Sequence, residues 1–203
     1  SGNAEVLIPR GLCSLEKTEN LNIDEENFCS VFLSWEEGIV SEIKPSKTQN
    51  KKPRKVLLPR FVETHAHIDK AFSWSRSHNL KGTYQGALAA NLSEYELRSN
   101  DELIFSVEKS LDLAFVNGIR AIRSHIDSFG KTAIRDWDLL MNVRKKWQEK
   151  IFLQFVALVP LEFWQTDEGE LLAQRVASNG DLLGGVLAPP FNKRKTFKSL
   201  LHL

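Results

Sequence analysis

Two histidines two residues apart, His65 and His67, are the side chains in this sequence best placed to do chemistry. An apolar stretch, Val56-Leu57-Leu58-Pro59-Arg60-Phe61-Val62-Glu63-Thr64, leads into them, and Ile68-Asp69-Lys70 follows. Side chains two apart on a β-strand point to the same side. A strand ending here therefore presents two imidazoles together. Neutral imidazole is a ligand of zinc and of iron. A bare His-x-His is common in structural settings. One that ends a hydrophobic strand and leads into Ile-Asp-Lys points to a metal site, with His65 and His67 as ligands. Val56 to Leu58 are expected to begin that strand as a buried run.

The segment Leu58 to Lys70, LPRFVETHAHIDK, resembles the first barrel strand of the amidohydrolase superfamily, and most nearly its cytosine-deaminase-like branch. Pro59-Arg60 stands where the family has Pro-Gly, a departure in the turn rather than in the ligands. Ile119-Arg120-Ala121-Ile122-Arg123-Ser124-His125-Ile126-Asp127 is similar to the second strand of the same branch, which ends Arg-Thr-His-x-Asp. The resemblance implies a metal-dependent hydrolase that attacks a C–N bond of a small, cyclic substrate through metal-bound hydroxide. It implies that His65 and His67 bind the metal, one divalent zinc or iron ion. In the family a further histidine comes from the fifth barrel strand and an aspartate from the eighth. Neither strand is expected within these 203 residues.

Other residues gain roles only through this resemblance. His125, on the neighbouring strand, is either a third ligand or a hydrogen-bonded residue of the barrel wall. Asp69 and Asp127 are candidates for carboxylates behind the ligands that fix an imidazole's tautomer; Asp69 is equally a cap for its loop. Gly82-Thr83-Tyr84 falls where the branch carries a Gly-Thr segment near its substrate, which makes Tyr84 a substrate-loop candidate. Two-metal members end their fourth strand with a bridging lysine or acid, whereas Leu187-Ala188-Pro189-Pro190 offers none and Lys193 reads as solvated, so one metal is implied. Cytosine-specific members carry a glutamine just after the third strand. Here that place reads Val159-Pro160-Leu161, with Glu162 the nearest polar group, so the likeness does not extend to cytosine itself.

The elements that must position these residues follow from periodicity. Glu5 to Pro9 and Cys29 to Trp35 read as strands. Glu36-Glu37-Gly38 signals a turn, and Ile39 to Ile43 completes a hairpin. The basic run Lys51 to Lys55 reads as a solvated linker. Ser73 to Asn100 reads as a long polar loop at the active-site mouth, of the kind that serves as a lid. Asn100 then caps a helix bearing Ile104, Val107, Leu111 and Phe115, which Gly118 ends. After the strand Ile119–Asp127 come a helix around Trp137, Leu140, Met141 and Arg144, and a continuous apolar strand from Ile151 to Val159. Such a strand is covered on both faces, as in a parallel sheet. A helix around Leu171, Leu172 and Val176, a strand from Leu182 to Ala188, and a helix from Thr196 complete the order.

The alternation predicts an α/β chain: the N-terminal part of a (β/α)8 TIM-type barrel, about four βα units, preceded by a small β-domain. The domains are expected at 1–54, an incomplete β-domain, and 55–203, the first half of the barrel. Ser199-Leu200-Leu201-His202-Leu203 is an apolar helical face with no breaker, so a fragment or truncated product, inactive by itself, is expected. Half a barrel leaves open strand edges, and edges recruit strands. A homo-oligomer or a complex with the missing half is therefore expected. The rival reading is a catalytically dead homologue kept as a binding or assembly module.

Composition excludes other classes. With 27 basic and 26 acidic residues and a net charge of +1, nothing calls for nucleic acid. No apolar run approaches the ~18 residues of a membrane span. Cys13 and Cys29 form no Cys-x-x-Cys pair, which makes a reduced, cytoplasmic setting the default. A flavodoxin-like sheet is disfavoured because no Gly-rich phosphate loop follows the first strand.

Overall fold

A computed structural model describes residues 1–14, 20–46 and 55–186. Lys51 to Arg54, the expected fourth-strand end from Leu187, Lys193, His202 and the last helix lie outside these residues. The chain divides into two compact units, Ser1–Pro59 and Arg60–Leu203.

The first unit is an antiparallel sheet of β1 (Gly2–Pro9), β2 (Phe28–Glu36) and β3 (Ile39–Pro45), in that order. Alternate residues turn inward, as a half-buried sheet requires. Val6 and Ile8 of β1 meet Cys29, Val31 and Leu33 of β2 in one apolar cluster. Glu37 and Gly38 both have positive φ, 49° and 78°, and Glu36 pairs with Ile39 across them. This is a two-residue turn of the type whose twist matches its strands.

One expectation fails here. Val56, Leu57 and Leu58 are 49%, 38% and 46% exposed and do not begin the barrel strand. Val56 instead bridges Leu7, with Leu7 N–H donating to Lys55 O and Leu57 N–H donating to Leu7 O, both at 2.8 Å. Free backbone groups along β1 capture this segment, while Pro59 has no N–H to carry a ladder onward.

The second unit holds β4 (Phe61–Ala66), α1 (Tyr84–Leu97), α2 (Asn100–Val116), β5 (Ile119–Asp127), α3 (Ala133–Trp147), β6 (Phe152–Pro160), α4 (Asp167–Ser178) and β7 (Leu182–Val186). The four strands lie in the order β4-β5-β6-β7, all parallel. Consecutive parallel strands joined by helices are the wall of a (β/α) barrel, here a partial one. The core lies between strands and helices. Leu103, Val107 and Leu111 of α2, Trp137 and Leu140 of α3, and Leu172 and Val176 of α4 pack on Ile122, Ile126, Phe155 and Val159. Each fully buried large side chain contributes about 1.5–3 kcal/mol relative to exposure. Gly184 keeps β7 close to β6: a Cβ there would stand 2.6 Å from Val156 Cγ1.

Two local expectations change. The polar stretch 73–100 is not a plain loop, because α1 occupies Tyr84–Leu97, capped by Thr83 Oγ1 accepting from Gly86 N–H. α2 is capped by Ser99 rather than Asn100. Ser99 Oγ accepts from Glu102 N–H while the Glu102 carboxylate accepts from Ser99 N–H, a reciprocal capping box.

Candidate metal-binding site at the strand ends

Gly118 delivers the chain from α2 into β5. With φ of 84° it takes a left-handed turn that a side chain would strain, and its carbonyl accepts from Phe61 N–H at 3.0 Å. That bond sets the start of β4 beside the start of β5. Pairing then runs Val62 with Ala121, Glu63 with Ile122 and Ala66 with Ser124. From Glu63 to Ala66, three steps on β4 run beside two on β5, so the strand bulges just where it presents His65. Bulges bend a strand and re-aim its side chains. His65 N–H donates to Glu63 Oε1 at 2.9 Å within this bulge.

Three imidazoles gather at the C-terminal ends of β4 and β5, the end where barrel enzymes carry their sites. The ring centroids are 5.3 Å apart for His65 and His67, 4.1 Å for His65 and His125, and 5.8 Å for His67 and His125. His67 Nδ1 lies 2.9 Å from His125 O. A carbonyl can only accept, so Nδ1 carries the proton and the Nε2 lone pair is left for a ligand. Burial, and then the Lys70 ammonium, hold the His67 imidazole below its usual range. Burial, then the two neighbouring histidines, do the same for His125. Neutral rings are the form a metal needs.

Behind the rings lies a polar floor. Asp127 Oδ2 accepts from Lys70 Nζ and from Asn91 Nδ2, both at 2.8 Å. Asp69 is completely buried; its Oδ2 accepts from Asp127 N–H at 3.2 Å, and Arg98 Nη1 stands 3.9 Å away. Burial, with the Asp127 carboxylate next, pushes the Asp69 pKa up to about 6. Arg98 also donates to the Asp69 carbonyl at 2.6 Å, which fixes the turn after His67. The group that orients the His67 ring is thus a backbone carbonyl rather than a carboxylate.

The strand ends bring together His65, His67 and His125, and, beneath them, Asp69 and Asp127. Tyr84 lies exposed in the first turn of α1 and joins none of these hydrogen bonds. His78 packs edge-on against Trp74 instead. Sequence reasoning missed Lys70, Asn91 and Ser124. Lys70 closes the His-x-His-x-Asp-Lys string and could have been singled out there; Asn91 and Ser124 carry no signal without the pairing of β4 with β5.

As metal donors, His65 and His67 fit as a pair: His67 has a fixed tautomer with a free lone pair, and the two ring centroids stand 5.3 Å apart at one strand end. They do not complete a centre. Among the described residues no group of three or more His, Cys, Asp or Glu side chains converges to hold a metal ion.

No family model matches the chain. A pterin deaminase from Rhizobium rhizogenes (strain K84) is 34% identical over 158 residues, covering 74% of this chain and 36% of that protein. An N-isopropylammelide isopropyl amidohydrolase from Pseudomonas sp. (strain ADP) is 25% identical over 138 residues, covering 63% of this chain and 33% of that protein. The crystal structure of 5-methylcytosine deaminase from Klebsiella pneumoniae liganded with phosphonocytosine shares the fold, with a TM-score of 0.71 at 18% identity over 98% of this chain and 47% of that one. The chain spans about a third of the length of these curated relatives and about half of the solved enzyme. With the His-x-His-x-Asp strand end on a partial parallel barrel, and with relatives of this kind, the chain belongs to the amidohydrolase superfamily.

Proposed function

We propose that this chain supplies four βα units and two metal ligands, His65 and His67, to an enzyme that hydrolyses a C–N bond in a small cyclic substrate. One observation carries the reading. Two imidazoles stand at the end of the first barrel strand, one with its Nε2 lone pair freed by a backbone carbonyl. The proposed cofactor is one divalent ion, zinc or iron. When bound, it supplies Lewis acidity and makes water a competent nucleophile near neutral pH. The chain's own residues bind and orient: His65 and His67 as donors, His125 as the wall beside them, and Asp69 and Asp127 as the floor held by Arg98, Lys70 and Asn91. Tyr84, exposed at the head of α1, is proposed to reach substrate. The substrate class proposed is an amino-bearing nitrogen heterocycle, because the relatives are named for a pterin and for N-isopropylammelide.

The remaining ligands and the general base are proposed to lie outside these 203 residues, so the chain alone does not turn over. The test has two arms. Elemental analysis of the purified chain should find zinc or iron that is lost when His65 and His67 are both replaced by alanine; unchanged uptake would end the ligand assignment. Incubation with pterin, cytosine or N-isopropylammelide should release no ammonia or amine. Turnover that vanishes in His65→Ala would show that the residues present suffice.

A second reading, a binding or assembly module without catalysis, is favoured by the lack of a converged three-ligand group among the described residues. A gene whose product has no histidine and aspartate strands beyond these residues would establish it. In either reading β4 and β7 are sheet edges among the described residues. We propose a second copy or the remaining half of the barrel as their partner. Light scattering that finds a monodisperse single chain would refute this. The two cysteines are free, and no helix of the described residues is long and apolar enough to cross a membrane. The proposed location is the cytoplasm.

A further inference from the structure

We infer that Ser124-His125, at the end of β5, is the positioning device for the histidine pair, and that the His125 ring steadies His65 by packing rather than by donating to a metal. The inference rests on the reading of His65 and His67 as ligands. Three contacts carry it. Ser124 Oγ, fully buried, accepts from Ile68 N–H at 3.1 Å and donates to Ala66 O at 3.3 Å. One hydroxyl thus ties the chain on both sides of His67, using its single proton and one lone pair. The His125 carbonyl takes the Nδ1–H of His67 at 2.9 Å. Finally, the His125 ring lies 4.1 Å from that of His65, tilted by only 31°.

That last geometry separates packing from ligation. Two imidazoles that share a zinc must converge their donor nitrogens on one point ~2.0–2.1 Å from each. Rings whose centroids stand 4.1 Å apart, with planes tilted by 31°, are stacked on one another rather than spread around a common point. His65 and His67 are set quite differently, with centroids 5.3 Å apart and 81° between planes. His125 is therefore a positioning residue, acting on one histidine through its backbone and on the other through its ring.

The test uses the whole 203-residue chain, zinc as the probe, and two variants. Partners behind metal ligands are worth about 10–100-fold in metal affinity. His125→Ala should weaken zinc binding, read by calorimetric titration, at least ~10-fold on that scale. His125→Phe keeps a flat ring, lacks a nitrogen, and should restore most of the affinity. A phenylalanine variant as weak as alanine would make His125 a donor and overturn the inference; so would an alanine variant as tight as the unaltered chain. If the alanine chain does not fold, phenylalanine decides alone, since a tenfold loss there refutes packing. Nitrogen-15 NMR of the zinc-free protein supplies a reading independent of metal. His67 should show the Nδ1–H tautomer in all three chains. The His65 ring resonances should move in His125→Ala and return in His125→Phe; resonances that do not move overturn the inference. An unaltered chain that takes up no zinc would refute the ligand reading alone, and the His65 signals would still judge the positioning.

Discussion

β4 and β6 belong to the same parallel sheet, yet they are built in opposite ways. β6 buries Leu153, Phe155, Val156, Ala157 and Val159, on both of its faces. β4 buries no residue: Phe61 and Val62 are 55% and 62% exposed, and even Ala66 is only partly covered. β6 has a ladder on each side, whereas among the described residues β4 pairs with β5 alone. The strand with the candidate chemistry is thus the one that contributes least to the core. Division of labour of this kind is what a barrel permits, because loops and strand ends can vary while helices and inner strands hold the wall.

The sharpest way to break this comparison is to cut into β6. Phe155→Ala removes a completely buried ring in contact with Trp137, and the second unit should lose about 3–5 kcal/mol in urea unfolding. A loss as small as that of Val62→Ala would erase the contrast. Asp181→Ala comes next. Its carboxylate accepts from Phe155 N–H at 2.9 Å and from Arg144 Nη1 at 2.9 and 2.8 Å, with the carboxylate buried and the arginine partly exposed. Breaking such a pair costs about 3 kcal/mol, measurable in the same titration.

Two smaller effects probe β4. Zinc at 100-fold above its dissociation constant should stabilise the chain by about 2.7 kcal/mol, an effect that a chelator removes and that His67→Ala lacks. A melting temperature indifferent to zinc and chelator would mean that the strand end binds no ion. Last, Val62→Ala should change stability by no more than about 0.5 kcal/mol, the range for exposed positions. A loss of several times that would show that β4 has a covered face in the assembled protein.

Sequence legibility divides along the same line. β5 was readable to its ends, because Gly118 punctuates one side and Asp127 closes an apolar run on the other. β6 was readable because a continuous apolar run has few other homes than a covered strand. α1 was not readable as a helix. The residues it turns inward are polar or amphipathic, with Glu94 and Tyr95 buried, Asn91 on Asp127 and Arg98 just beyond on Asp69. Its leucines 88, 92 and 97 face outward. A pattern search for apolar spacing sees the reverse of the real face. Val56 to Leu58 misled in the other direction, since hydrophobicity cannot tell which sheet will claim a segment. At the site, His65 and His67 were legible from spacing. His125 was legible as a neighbour on the next strand, but the bond of its carbonyl to His67 was not, because that depends on which residue of β5 stands opposite Ala66, and a bulge hides that register.

That bulge has a consequence for which genetic changes the strand tolerates. Its exposed side chains leave β4 free to accept substitutions, but its count of residues is constrained. Faces alternate with a period of two, so loss of one codon between Glu63 and Ala66 would reverse the parity of every earlier position relative to His67. It would also straighten the ladder beside Ile122 to Ser124. In a deletion scan of this strand, removal of Thr64 should abolish metal uptake, whereas its replacement by serine or valine should not. The spacing of this stretch is thus more tightly bound than its spelling.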